Sequence, residues 1–99
     1  MMGKTIEREP VRTNQFKRDY KRELKTHGAD LNAMFFEVLE FLISDTPLPF
    51  KYKDHKLTGN WEGFRSCHIK PDLVVNYAKP DDETLLLARI GSHTEIYGL

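Results

Sequence analysis

His55, His68 and His93 stand at three separate places along the chain, and Asp72 lies four residues after His68, across Lys70-Pro71. Imidazole titrates close to neutral pH, so a pair of histidines can take up one proton and give another in the same reaction. A carboxylate beside them can orient an imidazole, hold it protonated, or act as the base itself. Basic side chains crowd the same stretch, Tyr52 to Asp72, which also carries Tyr52, Trp61 and Phe64. Of these, Lys53, Lys56 and Arg65, with Arg89 further on, can hold phosphate oxygens, and Tyr97 can stack on a nucleobase.

Plainer readings stand beside these. A histidine taken alone reads as a solvated loop residue, the lysines as a solvated basic face, either arginine as one half of a cross-strand ion pair, and Tyr97 as a packed tail ring. Trp61 and Phe64 are assigned to the core in preference to a stacking platform. Three histidines and an aspartate could in principle complete a zinc site, but their spacing is irregular and no HExxH motif appears, so no metal or other cofactor is expected. Cys67 alternates with His68 along a strand and should point away from it into packing. His27, at a helix C-terminus, is read as structural.

The elements that must position these groups follow from periodicity. Arg8 to Thr13, with Pro10 and Val11, reads as a strand start or edge strand. Thr13 or Asn14 caps a helix in which Phe16, Tyr20 and Leu24 recur every four residues under a basic outer surface, and His27-Gly28 ends it. Asp30 is the expected N-cap of a second helix, with Leu31, Met34, Phe35, Val38, Leu39 and Leu42 on one face and Ser44 to Pro49 as its stop. The short link makes the two helices an antiparallel pair over one face of a sheet.

That sheet comes largely from the second half. Gly59-Asn60 reads as a turn, Trp61 to Ile69 as a strand, Lys70-Pro71-Asp72 as a tight connection, and Leu73 to Ala78 as the hairpin partner. After a turn at Lys79 to Asp82, Thr84 to Ile90 is nearly continuously apolar, as in a central strand covered on both faces. Gly91 releases the chain into a tail, Ser92 to Leu99. If the strands form an antiparallel meander, the ends carrying His68, Asp72 and His93 meet on one rim.

Bulk properties bound the answer. A chain of 99 residues holds one small domain, 1–99, with no room for a separate cofactor-binding domain. Apolar residues make up 39% and charged residues 30%, which suits a globular fold, with Met1 to Lys4 the exception. A single cysteine excludes an intramolecular disulfide. No signal-peptide pattern appears, and the apolar-rich stretch Leu31 to Ile43 is broken by Asn32, Glu37 and Glu40, so a cytoplasmic protein without a membrane partner is expected. Net charge is zero, but Lys17, Arg18, Lys21, Arg22 and Lys25 cluster, and a neutral protein can still turn a basic face to phosphate.

The blocks YKDHKLTGNWEGFRSCHIKPDLVVNY and RIGSHTEIYG resemble the YafQ branch of the RelE-like toxins of bacterial toxin–antitoxin systems. The resemblance runs over nearly the whole chain. It implies an α+β fold of the RelE-like microbial RNase type, with two N-terminal antiparallel helices on a curved, mainly antiparallel four-stranded sheet. It implies a ribosome-dependent endoribonuclease that cuts mRNA, and a cognate antitoxin that wraps around the toxin in a hetero-oligomer. RNA carries its own nucleophile, the 2′-hydroxyl, so such cleavage needs no metal. Carried over by position, the family's active-site histidines are His55, His68 and His93, its acid Asp72, its C-terminal aromatic Tyr97 and a basic position Arg89. On that basis His93 is the general acid, Asp72 or His68 the base, and His55, Arg65 and Arg89 steady the phosphate. The alternative is a RelE or ParE-type protein that acts by binding a target such as gyrase, for which the histidines are not needed.

Overall fold

The computed structural model describes residues 7–98. Met1 to Lys4, expected to lack fixed structure, fall outside them. The elements run β1 (Glu9–Arg12), α1 (Asn14–His27), α2 (Asp30–Ile43), β2 (His55–Lys56), β3 (Arg65–Lys70), β4 (Leu73–Ala78), β5 (Thr84–Gly91) and α3 (His93–Tyr97), with single 3₁₀ turns at Phe50–Tyr52 and Gly59–Trp61. The sheet order is β1-β5-β4-β3-β2, with β1 parallel to β5 and every other pair antiparallel. No helix among the described residues is long and apolar enough to cross a membrane.

Thr13 caps α1, its Oγ1 accepting from Phe16 N–H at 2.9 Å, and Gly28 closes the helix at φ 73° with its N–H donating to Leu24 O. Phe16 is buried, and its ring, with those of Tyr20 and Phe35, makes an aromatic seam between α1 and α2. Asp30 is not the N-cap of α2. Ala29 holds that place without a side-chain bond, because the helices are so close in sequence that the carbonyls of Gly28 and Ala29 already serve the amides of Leu31 and Asn32. Asp30 becomes the first helical residue, where its charge faces the positive end of the helix dipole.

Leu31, Phe35, Val38 and Leu42 of α2 pack with Phe16 onto Leu73, Val75, Tyr77, Leu85, Leu87 and Ile90 of the sheet. The strand buried along its whole length is β4, not β5, because β4 is the middle of five. Its alternate residues Val74, Asn76 and Ala78 face away from the helices, and Asn76 there meets Tyr97 of α3. Thr84, Leu86 and Arg89 of β5 are only half-buried.

The expected strand from Trp61 is shorter. β3 begins at Arg65, since Trp61 lies in a 3₁₀ turn and Gly63 adopts φ 90°, incompatible with an extended run. Upstream, His55–Lys56 pairs with Ser66 and Arg65, which adds a fifth strand to the four expected.

β1 pairs with β5 only as far as Leu87. Beyond it α1 lies along the open edge and supplies the bonds a strand would make. Thr13 N–H and Oγ1–H donate to the carbonyls of Leu87 and Ala88, Ile90 N–H donates to Asp19, and Arg22 donates to Ile90 O. An unpaired edge is thereby closed by side chains from a helix.

Candidate active site

His55 pairs in register with Ser66, so its side chain shares a face with Ser66 and His68. The His68 ring is 6.3 Å from that of His55 and 5.4 Å from that of His93. Asp72, in the turn between β3 and β4, closes the group, its Oδ1 accepting from His93 N–H at 2.9 Å and from His93 Nδ1 at 2.6 Å. The imidazoles and the carboxylate picked out from sequence therefore meet on one rim.

Each group is fixed by its element. β3 carries His68, and a register irregularity between His68 and Lys70 reshapes the strand end beside it. Lys53 takes the left-handed conformation, φ 50°, after the Phe50–Tyr52 turn, and its carbonyl bonds His55 Nδ1 at 2.8 Å. His93 is the first residue of α3, where Ser92 and Glu95 form a capping box. Glu95 also pairs with Arg22 at 2.9 Å, and Arg22 is in turn bonded to Asp19 and Glu23 of α1. Gly91 makes room for this anchor, since a Cβ there would lie 2.7 Å from Arg22 Nη2.

Electrostatics separate the roles. Asp72 is held below the usual carboxylate range by the backbone N–H and then the ring of His93. Burial pushes His68 below the ordinary histidine range, and the positive charges that His93, His55 and Lys53 can carry push it the same way. A neutral His68 beside ionised Asp72 is the outcome at neutral pH. Since Asp72 takes the Nδ1–H of His93, Nε2 is the nitrogen left to exchange protons with a substrate.

The basic candidates divide. Lys53 is exposed beside His55, and Lys56 is exposed on the edge strand, in register with Arg65. Arg65 is not brought to the imidazoles: it pairs with Tyr77 in register, on the face opposite His68, and its guanidinium holds Asp54 at 2.8 Å. Arg89 is in register with Asn76 on the histidine face, but its guanidinium turns to the fully buried Asp19 at 2.7 Å. Burial works to raise the Asp19 carboxyl, and hydrogen bonds from Arg89, Gln15 and Ile90 N–H override it to hold the group ionised. Both arginines are engaged in ion pairs, but not in the cross-strand pairs weighed as their plainer reading, since Asp54 lies in the loop before β2 and Asp19 on α1.

Tyr97 is part of the group through its ring, 6.2 Å from that of His93, while its hydroxyl exchanges hydrogen bonds with the buried Asn76 amide at 3.0 and 3.1 Å. Trp61 and Phe64 are not core residues. They are half-buried on the histidine side, with Trp61 6.3 Å from Tyr97. Cys67 is fully buried and its thiol is pushed up to about 12 by burial, as packing requires. His27 joins Glu23 and Lys70 at 3.2 and 3.1 Å.

Several residues were not legible in advance. Asp54, which holds Arg65 and the Tyr77 hydroxyl, gives no local signal because its partners lie far along the chain. Asp19 and Asn76 are polar residues whose burial only the fold reveals. The Ser92 to Glu95 box was visible as S-x-x-E and marks α3, which the sequence reading left as tail.

The sequence model of the YafQ bacterial toxin of type II toxin–antitoxin systems matches residues 8–98. The mRNA interferase toxin YafQ of Escherichia coli strain K12 is 37% identical over 94 residues, which is 94% of this chain and 99% of that protein. A chain in the E. coli DinJ-YafQ toxin–antitoxin complex superposes with a TM-score of 0.82 at 34% identity, over 94% of this chain and 100% of that one. A metal-bound toxin from Helicobacter pylori is 40% identical with a TM-score of 0.80, over 89% and 97% of the two chains. Among the described residues of this protein, no group of three or more His, Cys, Asp or Glu side chains is arranged to hold an ion. Matched along nearly its full length in sequence and in fold, the chain belongs to the YafQ family of bacterial toxins of type II toxin–antitoxin systems.

Proposed function

We propose that this protein is an mRNA-cleaving toxin that acts on the ribosome in the cytoplasm, as one domain, without a metal, and is neutralised by a cognate antitoxin in a hetero-oligomer. The observation that carries the reading is Asp72 bonded twice to His93, with a neutral-leaning His68 ring 5.4 Å from the His93 ring. RNA brings its own nucleophile. His68 takes the proton of the 2′-hydroxyl, whose oxygen attacks the adjacent phosphorus. The bond from phosphorus to the 5′-oxygen breaks, and His93 Nε2 protonates that oxygen, leaving a 2′,3′-cyclic phosphate and a 5′-hydroxyl. His68 suits the base role better than Asp72, whose Oδ1 is already engaged by His93 and whose low pKa makes it a weak base. Lys53, exposed beside His55, is the cationic group placed to steady the phosphate, with the His55 ring lining the same side.

The names of the relatives support the substrate and the partner: the E. coli protein is called an mRNA interferase toxin, and its solved complex contains the antitoxin DinJ. Primer extension on programmed ribosomes tests the reading, with free mRNA as a parallel arm. Wild type cuts the ribosome-bound message, and His68→Ala and His93→Ala, folded by thermal melt, each lose about 10²–10⁴ in rate. Cleavage by both variants at the wild-type rate would falsify the assignment.

A further inference from the structure

We propose that Trp61 is the stacking platform for one nucleobase of the bound RNA, next to the scissile linkage, an inference that rests on the nuclease reading above. Trp61 is the only tryptophan of the chain, yet it takes no part in the buried core and is half-buried on the histidine side. Its ring continues the line of the site, 6.3 Å from Tyr97, which is itself 6.2 Å from His93.

The indole is held still. Its neighbours Phe64 and Tyr97 meet it nearly at right angles, at 88° and 83°, the edge-to-face arrangement that aromatic pairs favour. The loop beneath it is closed by Leu57 N–H to Phe64 O at 2.9 Å, Phe64 N–H to Trp61 O at 3.0 Å and Trp61 N–H to Thr58 O at 3.2 Å. Tyr97, the brace on one side, is fixed through its hydroxyl by the buried Asn76. Among the described residues the indole N–H has no hydrogen-bond partner, and no side-chain nitrogen or oxygen is sealed away from solvent without one, so the polar edge of the ring is open. A half-buried indole braced by Phe64 and Tyr97, in line with His93, suits a base platform, because every nucleobase offers a flat partner and the packing around the ring reduces the cost of ordering it. An apolar protein partner would also bury the ring, but such burial has no reason to depend on the base next to the cleaved bond.

A double-mutant cycle between protein and RNA separates these. Ribosomes are programmed with messages carrying a single abasic nucleotide at successive positions on either side of the scissile linkage, and kcat/KM is measured for wild type, Trp61→Leu and Trp61→Phe. Leucine keeps apolar cover over Tyr97 and Phe64, and thermal melts check that each variant folds. One abasic position is expected to lower wild-type kcat/KM about tenfold or more and to leave Trp61→Leu unchanged, with Trp61→Phe recovering most of the loss. Equal losses for wild type and Trp61→Leu at every abasic position would overturn the platform. The two readings fail separately: a wild type that cuts no ribosome-bound message removes the nuclease, whereas full cleavage of intact message by Trp61→Leu removes only the platform.

Discussion

Asp72 offers a single oxygen, Oδ1, to both N–H groups of one residue, the backbone N–H of His93 at 2.9 Å and its Nδ1 at 2.6 Å. Two bonds to one oxygen fix both the first turn of α3 and the ring that projects from it. The turn after β3 and the helix after β5 are thereby joined at two groups of the proposed active site.

Asp72→Asn should leave the fold intact, because the side chain is exposed and makes no other side-chain contact of note. An amide can present its NH₂ group to Nδ1 and reverse the tautomer. Single-turnover cleavage is expected to fall by about 10²–10⁴ with no change in melting temperature. A wild-type rate would show that the carboxylate only braces the backbone.

His68 should titrate below the usual histidine value of about 6.5, since burial and its positive neighbours disfavour the imidazolium. The sign for stability follows: with the folded value below the unfolded one, the contribution of His68 is present above the ordinary histidine range and is lost as pH falls through the folded value. Histidine ring resonances followed by NMR from pH 8 to 4 check this. A midpoint for His68 above 6.5 would remove it as the neutral base.

Arg89→Ala leaves the fully buried Asp19 without its main ion pair and is expected to cost about 3 kcal/mol in urea unfolding. The pairing of the two is tested by Asp19→Asn in the same background. If the ion pair is the cause, the double variant loses less than the two single losses added together. Additive losses would point to independent roles.

Gly91→Ala places a Cβ 2.7 Å from Arg22 Nη2 and 3.0 Å from Glu95 Oε1. Arg22 is the flexible end of a long side chain and can move, so stability should drop by only about 1 kcal/mol, the worth of a lost hydrogen bond. Moving it releases Ile90 O and Glu95, and with them the capped turn that aims His93. The rate of cleavage is expected to fall further than stability does, with Arg22→Ala showing the same pattern. A rate that merely tracks the melting temperature would assign the anchor to folding alone.

Local rules were enough for much of this protein. The spacing of Phe16, Tyr20 and Leu24, the run from Leu31 to Leu42, the stop at Gly28 and the hairpin at Lys70 to Asp72 each depend on neighbours within a turn or a strand, and each stands in the structure. The three histidines and Asp72 were legible as candidates because imidazoles and a carboxylate in a cation-rich stretch can exchange protons and because the resemblance marked the same positions, and the structure brings them together. What sequence could not reach was the partner of each charge. Arg65 and Arg89 have the composition of phosphate ligands, but Asp54 and Asp19, 11 and 70 residues away from them, claim their guanidinium groups. Trp61 has the composition of a core residue, yet Gly63 ends the strand that would have buried it. Helices and turns answer to short-range backbone energetics, whereas the face a side chain shows and the charge it meets are set by register and by contacts between distant segments, which exist only once the chain has closed on itself.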